Sequence, residues 1–242
     1  MNIKLAVRLF RVFLHLLFGL ALCALVFSWV SGERRQRHVR AYSRKLLRIC
    51  GVSVEQQGEA LAHALVVSNH VSWLDIFVIN SLHPSLFVAK SEIRDWPVLG
   101  WVVAQAGTVF IARGNRRELR HTFKGIVANL ERGERVAFFP EGTTAEQGSL
   151  LPFHANLFEA AIDAKVMVQP IALEYLDQHG ALHPSVSYIG DMHFTDSVVA
   201  ILSGSAVHAR LACLPALDAR GAHRRELAAA TQEQVAQALA RG

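Results

Sequence analysis

Ala64-Leu65-Val66-Val67-Ser68-Asn69-His70-Val71-Ser72-Trp73-Leu74-Asp75-Ile76-Phe77-Val78-Ile79-Asn80 is the stretch on which the reading of this chain turns. It opens with a short apolar run of strand character, passes through polar residues, and enters a second apolar run of helical length from Trp73. A strand leading through a turn into a helix is the repeating unit of α/β proteins, which place reactive groups on the connections beyond their strand ends. Here the connection carries an imidazole and a carboxylate, His70 and Asp75. An imidazole oriented by a carboxylate is a ready general base near neutral pH.

The five-residue spacing needs a particular geometry. Inside one regular helix, residues five apart diverge by roughly 140° and lie about 7.5 Å apart along the axis, so His70 and Asp75 would not meet there. Ser72-Trp73-Leu74-Asp75 fits a capping box, with Ser72 as N-cap and Asp75 at the third helical position. His70 then lies on the turn before the helix, and Asp75 can reach back to it. On these residues alone a second reading is equally open, in which Asp75 only caps the helix and His70 is a loop histidine.

Beyond residue 52 the pattern continues to alternate. Strands are expected at 64–68, 86–89, 108–112, 135–139, 166–173 and 207–212, and helices at 73–82, 97–106, 116–132, 153–165 and 224–240. Such alternation predicts an α/β domain with a mostly parallel or mixed sheet flanked by helices. The segment 177–197, rich in glycine and proline breakers, reads as loop plus a short strand. A length of 242 residues suits one domain with an appendage, taken here as a membrane-embedding helical hairpin over 1–50 and an α/β domain over 51–242.

The hairpin is read from the first fifty residues. Val12 to Val30 is 19 residues long, interrupted only by His15, Gly19 and Ser28, close to the ~20 needed to cross a bilayer core. Lys4, Arg8 and Arg11 precede it; Arg34, Arg35, Arg37, Arg40, Arg44, Lys45 and Arg48 follow. A basic cluster directly after so long a run, and no small-residue cleavage site, argue against a cleaved signal peptide. The heavier positive charge on the carboxyl side would keep the main domain in the cytoplasm, against the inner membrane. Positive charge at both ends also suits a helix that enters and returns. The segment 33–49 is basic, with Val39, Tyr42, Leu46 and Ile49 at helical spacing, a pattern suited to anionic headgroups.

The net charge of +5 is concentrated there, and is read as attraction to membrane lipids and not to nucleic acid, for which zinc-finger spacing and basic-aromatic interleaving are both lacking. Cys23, Cys50 and Cys213 are scattered and odd in number, as expected of small buried apolar residues in a reducing compartment. The twelve histidines show no metal-ligand spacing, so no metal or cofactor is expected.

Three further stretches stand at strand ends. In Phe139-Pro140-Glu141-Gly142-Thr143-Thr144 the proline stiffens the exit, the glycine permits close approach, and a Gly-Thr turn offers N–H groups to an anion or a developing oxyanion. Gly107-Thr108-Val109-Phe110-Ile111-Ala112-Arg113 closes on an arginine able to grip phosphate in a bidentate fashion. Val168-Gln169-Pro170-Ile171-Ala172-Leu173 reads as a core strand.

Taken in order, these blocks resemble the glycerolipid acyltransferase family of the 1-acylglycerol-3-phosphate acyltransferase type. Its Asn-His-x-x-x-x-Asp block is matched by Asn69, His70 and Asp75. Its Gly-x-x-Phe-Ile-x-Arg block is matched by Gly107, Phe110, Ile111 and Arg113. Its Phe-Pro-Glu-Gly-Thr-Arg block is matched from Phe139 to Thr143, with Thr144 in place of arginine, and its Val-x-Pro-Ile strand by Val168, Pro170 and Ile171. Phe87-Val88-Ala89-Lys90-Ser91-Glu92 is similar to the family's Ala-Lys-x-Glu segment. The likeness runs from about residue 60 to 175.

The resemblance implies acyl transfer from acyl-CoA or acyl carrier protein, acting as co-substrate, to the hydroxyl of a lyso-lipid acceptor, with 1-acylglycerol-3-phosphate giving phosphatidic acid as the first choice. His70 would be the base and Asp75 its orienter, with no nucleophile needed on the protein; a Gly-x-Ser-x-Gly elbow is accordingly absent. Glu141 would contact the acceptor, Gly142 and Thr143 would shape the site, and Lys90 and Arg113 would meet anionic groups. Thr144 offers one hydroxyl where arginine would fork onto phosphate. Some bacterial relatives with Phe-Pro-Glu-Gly-Thr-Thr look like acyltransferases that complete ornithine lipids, so a lyso-ornithine lipid is the alternative acceptor. A lipid-binding protein without chemistry is the non-enzymatic alternative, and it would have no need of both His70 and Asp75.

Overall fold

The fold is described from a computed structural model covering residues 3–27, 29–30, 32–95, 99–105, 107–111 and 116–241. Two helices come first, α1 (Ile3–Leu25) and α2 (Gly32–Cys50). They are followed by β1 (Val52–Gln57), β2 (Leu65–Ser68), α3 (Leu74–Leu82), β3 (Leu86–Lys90), a 3-10 turn at Ser91–Asp95, α4 (Leu99–Gln105) and β4 (Val109–Ile111). Next come α5 (Arg116–Glu131), β5 (Val136–Phe138), a second 3-10 turn at Ala155–Phe158 and α6 (Glu159–Ala164). The chain ends with β6 (Met167–Leu176), α7 (Phe194–Ser203), β7 (Val207–Cys213), β8 (Leu217–Asp218) and α8 (Arg224–Leu239).

The strands form one eight-stranded sheet in the order β1-β7-β6-β2-β5-β3-β4, with β8 against β6. Pairing is parallel except for β6 with β7 and β6 with β8, so the sheet is mixed. Alternation along the strands splits the core. Val66, Ala137, Ile171, Leu173 and Tyr175 pack with α2, α3 and α7 on one face. Leu65, Val67, Val136, Phe138 and Val168 pack with α5, α6 and α8 on the other. Every residue of β2 is buried, as expected of a strand covered on both faces.

Several elements differ from the sequence reading. β1 was not expected, and it pairs in parallel with β7 over six residues. The helix expected at 153–165 is a 3-10 turn followed by a short α6. The segment read as loop plus strand passes into α7 at Phe194. β6 runs three residues beyond 173, because Glu174, Tyr175 and Leu176 pair with Arg210, Ala209 and His208 of β7. Glu174 and Arg210 add an ion pair of 2.7 Å there.

α1 is long and apolar enough to cross a membrane. One side packs on α2 through His15, Gly19, Leu22 and Cys23. A Cβ on Gly19 would come within 2.8 Å of the Tyr42 ring, so a larger residue would push that ring from its present contact with α1. The other side exposes Phe10, Phe13, Leu14, Leu17 and Phe18. α2 supplies Leu46, Leu47 and Cys50 to the same core as the sheet.

Part of the basic charge expected to face lipid is engaged within the protein. Lys4 Nζ donates to Gly204 O (3.2 Å) and Arg8 to Leu202 O (2.9 Å) at the end of α7. Arg44 donates to Ser81 O (2.8 Å) at the end of α3, and Arg35 to Gln105 O at the end of α4. Helix C-termini leave carbonyls unpaired and carry partial negative charge, so cations are favourable there. The three cysteines are free and buried.

Candidate active site

β2, β5 and β3 run in the same direction as neighbours. Their C-terminal ends therefore open on one edge of the sheet, where open α/β sheets bind ligands. His70 follows β2, Glu141 follows β5, and Lys90 ends β3.

Asn69 fixes the exit of β2. Its side chain both accepts from Leu173 N (2.8 Å) and donates to Leu173 O (2.9 Å), prolonging the β2–β6 contact by one residue. The chain then turns, and Asp75, in the first turn of α3, reaches back. His70 Nδ1 donates to Asp75 Oδ2 at 2.7 Å. The same oxygen accepts from the amides of Val71 (2.7 Å) and Ser72 (3.0 Å), and Oδ1 accepts from the Tyr175 hydroxyl (2.6 Å). Asp75 is fully buried, and four donors offset the cost of burying a carboxylate. With Nδ1 donating, Nε2 is the nitrogen left to take a proton.

The capping box forms only by half. The Asp75 carboxylate meets the Ser72 amide, but the buried Ser72 hydroxyl has no partner. The helix begins one residue later than that box requires, at Leu74 with Trp73 as N-cap.

The His70 ring lies flat on Phe139, with centroids 3.9 Å apart and planes within 7°. His70 keeps 19% of its side chain exposed, so the imidazole is held yet accessible. The backbone of His70 is tied on both sides. Its N–H donates to Glu141 Oε1 (2.7 Å), and its carbonyl accepts from Ala145 N (2.8 Å).

Glu141, expected to meet the acceptor, is buried and spends its other oxygen on Leu151 N (2.8 Å). Burial pushes its carboxyl above the ordinary range, against the two amides that favour the charged form. In this arrangement Glu141 joins the His70 turn to the loop after β5. Gly142, at φ +70°, donates its amide to Phe139 O (3.1 Å). That N–H closes the turn, so it is not among the donors expected to face an anion. Thr143 is exposed. Thr144 is half-buried, and its hydroxyl donates to Tyr188 O.

Lys90 is exposed at the end of β3, on the same sheet edge and two strands from β2. Arg113 lies outside the described residues. Among the described residues no three His, Cys, Asp or Glu side chains converge as metal ligands would. A groove of about 720 Å³ between α5 and α6, lined by Phe123, Val127 and Leu157, shares no residue with the site.

Tyr175 was missed by the sequence reading, which ended its strand at residue 173. The signal was present in the continued alternation Ile171, Leu173, Tyr175, which carries one face of β6 past the motif.

Comparison with known proteins agrees with the blocks that build this edge. Residues 51–174 match the model of a family described as Acyltransferase. The chain is 43% identical over 163 residues to the 1-acyl-sn-glycerol-3-phosphate acyltransferase of Neisseria meningitidis serogroup B, covering 65% of this chain and 64% of that protein. It therefore spans just under two thirds of that relative's length. It is 35% identical over 206 residues to the lyso-ornithine lipid O-acyltransferase of Pseudomonas aeruginosa, covering 85% of this chain and 79% of that protein. Among solved structures, the 1-acyl-sn-glycerophosphate acyltransferase of Thermotoga maritima superposes with a TM-score of 0.63 over 97% of each chain, at 20% identity, which speaks for the fold.

Proposed function

The chain belongs to the acyltransferase family, and from that premise we propose that it transfers a fatty acyl group from a thioester donor to the free hydroxyl of a lyso-lipid. The observation that carries this is the 2.7 Å contact between His70 Nδ1 and Asp75, which leaves Nε2 of a partly exposed imidazole to act as base.

In this reading the acceptor hydroxyl gives its proton to His70 Nε2 as its oxygen attacks the thioester carbonyl. Asp75 stabilises the imidazolium that forms. The tetrahedral intermediate collapses with cleavage of the carbon–sulfur bond, and the departing thiolate takes the proton back from His70. Glu141 acts from behind, holding the His70 backbone through Oε1. Lys90 and Arg113 are assigned to anionic groups of the acceptor or donor. The donor is acyl-CoA or acyl carrier protein.

The acceptor is proposed to be 1-acylglycerol-3-phosphate, in keeping with the name of the Neisseria relative. A lyso-ornithine lipid is the second reading. It is favoured by Thr144, whose hydroxyl is turned onto Tyr188 O, and by the longer match to the Pseudomonas protein. The exposed apolar side of α1 supports residence on the inner membrane with the α/β domain in the cytoplasm, and the basic residues after the apolar run favour that orientation. The test offers acyl-CoA and acyl carrier protein donors, radiolabelled in the acyl group, to lyso-lipids with and without a phosphomonoester. Transfer to lysophosphatidate alone supports the first reading, transfer to lyso-ornithine lipid supports the second, and transfer to neither refutes both.

A further inference from the structure

We propose that Tyr175 is a positioning residue for the acyl-transfer reaction, setting through Asp75 the pH at which His70 is available as a base. This rests on the reading of His70 and Asp75 as the catalytic pair.

The strand β6 holds the turn at two points. Leu173 grips Asn69 through both its amide and its carbonyl. Two residues on, and hence on the same face of the strand, Tyr175 reaches the Asp75 carboxylate from the side opposite His70. Its hydroxyl lies 2.6 Å from Oδ1, while His70 and two amides share Oδ2; from the loop after β5 the Glu141 carboxyl also faces the pair, its Oε1 accepting the His70 N–H at 2.7 Å. The tyrosine is fully buried, and its own backbone is fixed, with Tyr175 N donating to Gln147 Oε1 (2.9 Å). Its ring belongs to the core with Leu173, Ile171 and Val78.

A phenol in this position is a donor at every working pH. Burial first, and then the charge of Asp75 and the hydrogen bond to it, raise the Tyr175 pKa well above its ordinary value. A neutral donor on Oδ1 spreads the negative charge of the carboxylate and weakens its hold on the proton it shares with His70. Removing the donor concentrates that charge, so the coupled pair binds its proton more tightly and releases it at higher pH. A hydrogen bond to a charged group contributes roughly a factor of ten or more to such an equilibrium, which corresponds to about one pH unit. The ring remains in Tyr175→Phe, so core packing is preserved.

The experiment measures kcat and KM against pH, with a thioester donor and the preferred lyso-lipid, for the full-length wild type, Tyr175→Phe and His70→Ala. It adds a protein carrying 3-fluorotyrosine at position 175, whose more acidic phenol is a stronger donor. For Tyr175→Phe the acidic limb of the kcat/KM profile is expected to move up by about one unit, with the rate on that limb lowered by up to about tenfold and the acceptor KM within about twofold. The fluorinated protein is expected to move the limb the opposite way. A tyrosine that serves packing alone would lower the yield of folded enzyme and leave both limbs in place. An unmoved limb in the fluorinated protein overturns the proposal even if Tyr175→Phe does not fold. Loss of transfer in His70→Ala together with unmoved limbs sinks this inference only, whereas full activity in His70→Ala sinks the catalytic reading beneath it.

Discussion

Replacing Asp75 with asparagine takes one charge out of the site while leaving its hydrogen-bond pattern available. Oδ2 has three donors, His70 Nδ1–H and the amides of Val71 and Ser72, and Oδ1 has the Tyr175 hydroxyl. An asparagine oxygen in the Oδ2 position keeps all three. The Tyr175 hydroxyl can rotate to accept from the new NH₂ group. The imidazole therefore retains its tautomer, and what disappears is the attraction between the carboxylate and the imidazolium formed as the acceptor gives up its proton. Two unit charges about 4 Å apart attract by about 4 kcal/mol at an effective dielectric constant of about 20. At about 1.36 kcal/mol per tenfold in rate, kcat is expected to fall roughly a thousandfold. The assay is release of free thiol from acyl-CoA in the presence of lyso-lipid, with product confirmed by thin-layer chromatography. The melting temperature should stay within about 4 °C of wild type, the shift expected for roughly 1 kcal/mol in a chain of this size. A folded Asp75→Asn enzyme retaining kcat within tenfold of wild type would refute the reasoning.

Glu141→Ala strands the buried amides of His70 and Leu151. It should cost about 2–4 kcal/mol in urea unfolding and lower kcat more than it raises KM; unchanged stability would show that the strap is idle. Because burial raises the Glu141 carboxyl pKa, the native state holds that proton more tightly than the unfolded chain. Its contribution is present at low pH and lost as pH rises through the raised value, so the stability of wild type relative to Glu141→Gln should decline from the ordinary carboxylate range upward. A difference that is flat or rises with pH contradicts the sign. His83 runs the other way: burial first, then Arg135 and Arg40, lower its pKa to about 4. Stability should fall as pH drops from about 6.5 toward 4, and His83→Gln should flatten that slope in a thermal-shift series. Replacing the exposed Phe10, Phe13 and Phe18 together by serine should reduce co-sedimentation with anionic vesicles by at least tenfold, while circular dichroism stays unchanged.

The alternation of short apolar runs was enough to anticipate an α/β domain with a mixed sheet, because buried central strands such as β2 are mostly apolar. It did not reveal β1. That strand reads Val52-Ser53-Val54-Glu55-Gln56-Gln57 and pairs only with β7 at the sheet edge, and four of its six residues are polar. The meeting of His70 with Asp75 was legible from the local sequence, since His70 lies on the turn before α3 and Asp75, in the helix's first turn, reaches back to it. Tyr175 and Glu141 were not legible as partners of that pair. Their contacts span 100 and 71 positions of chain, and only strand register brings them together. Glu141 was recognised as a site residue but not as a backbone strap. A carboxylate in a motif looks the same whether it faces a ligand or two amides. The basic residues of the hairpin were read as a charge total, whereas the fold separates those that grip carbonyls from those that face outward.

Those gripping residues bear on how the protein can be handled. Lys4, Arg8, Arg35 and Arg44 sit on the carbonyl ends of α7, α4 and α3. α3 carries Asp75, and α7 carries Ser197, whose hydroxyl receives the Trp73 indole N–H at 3.2 Å. Trimming the first fifty residues to obtain a more soluble protein thus strips four counter-charges from three helix ends and opens the core at Leu46 and Leu47. An inactive truncation of that kind would be silent on whether a bilayer is required for turnover. Dependence on lipid has to be measured with the hairpin intact.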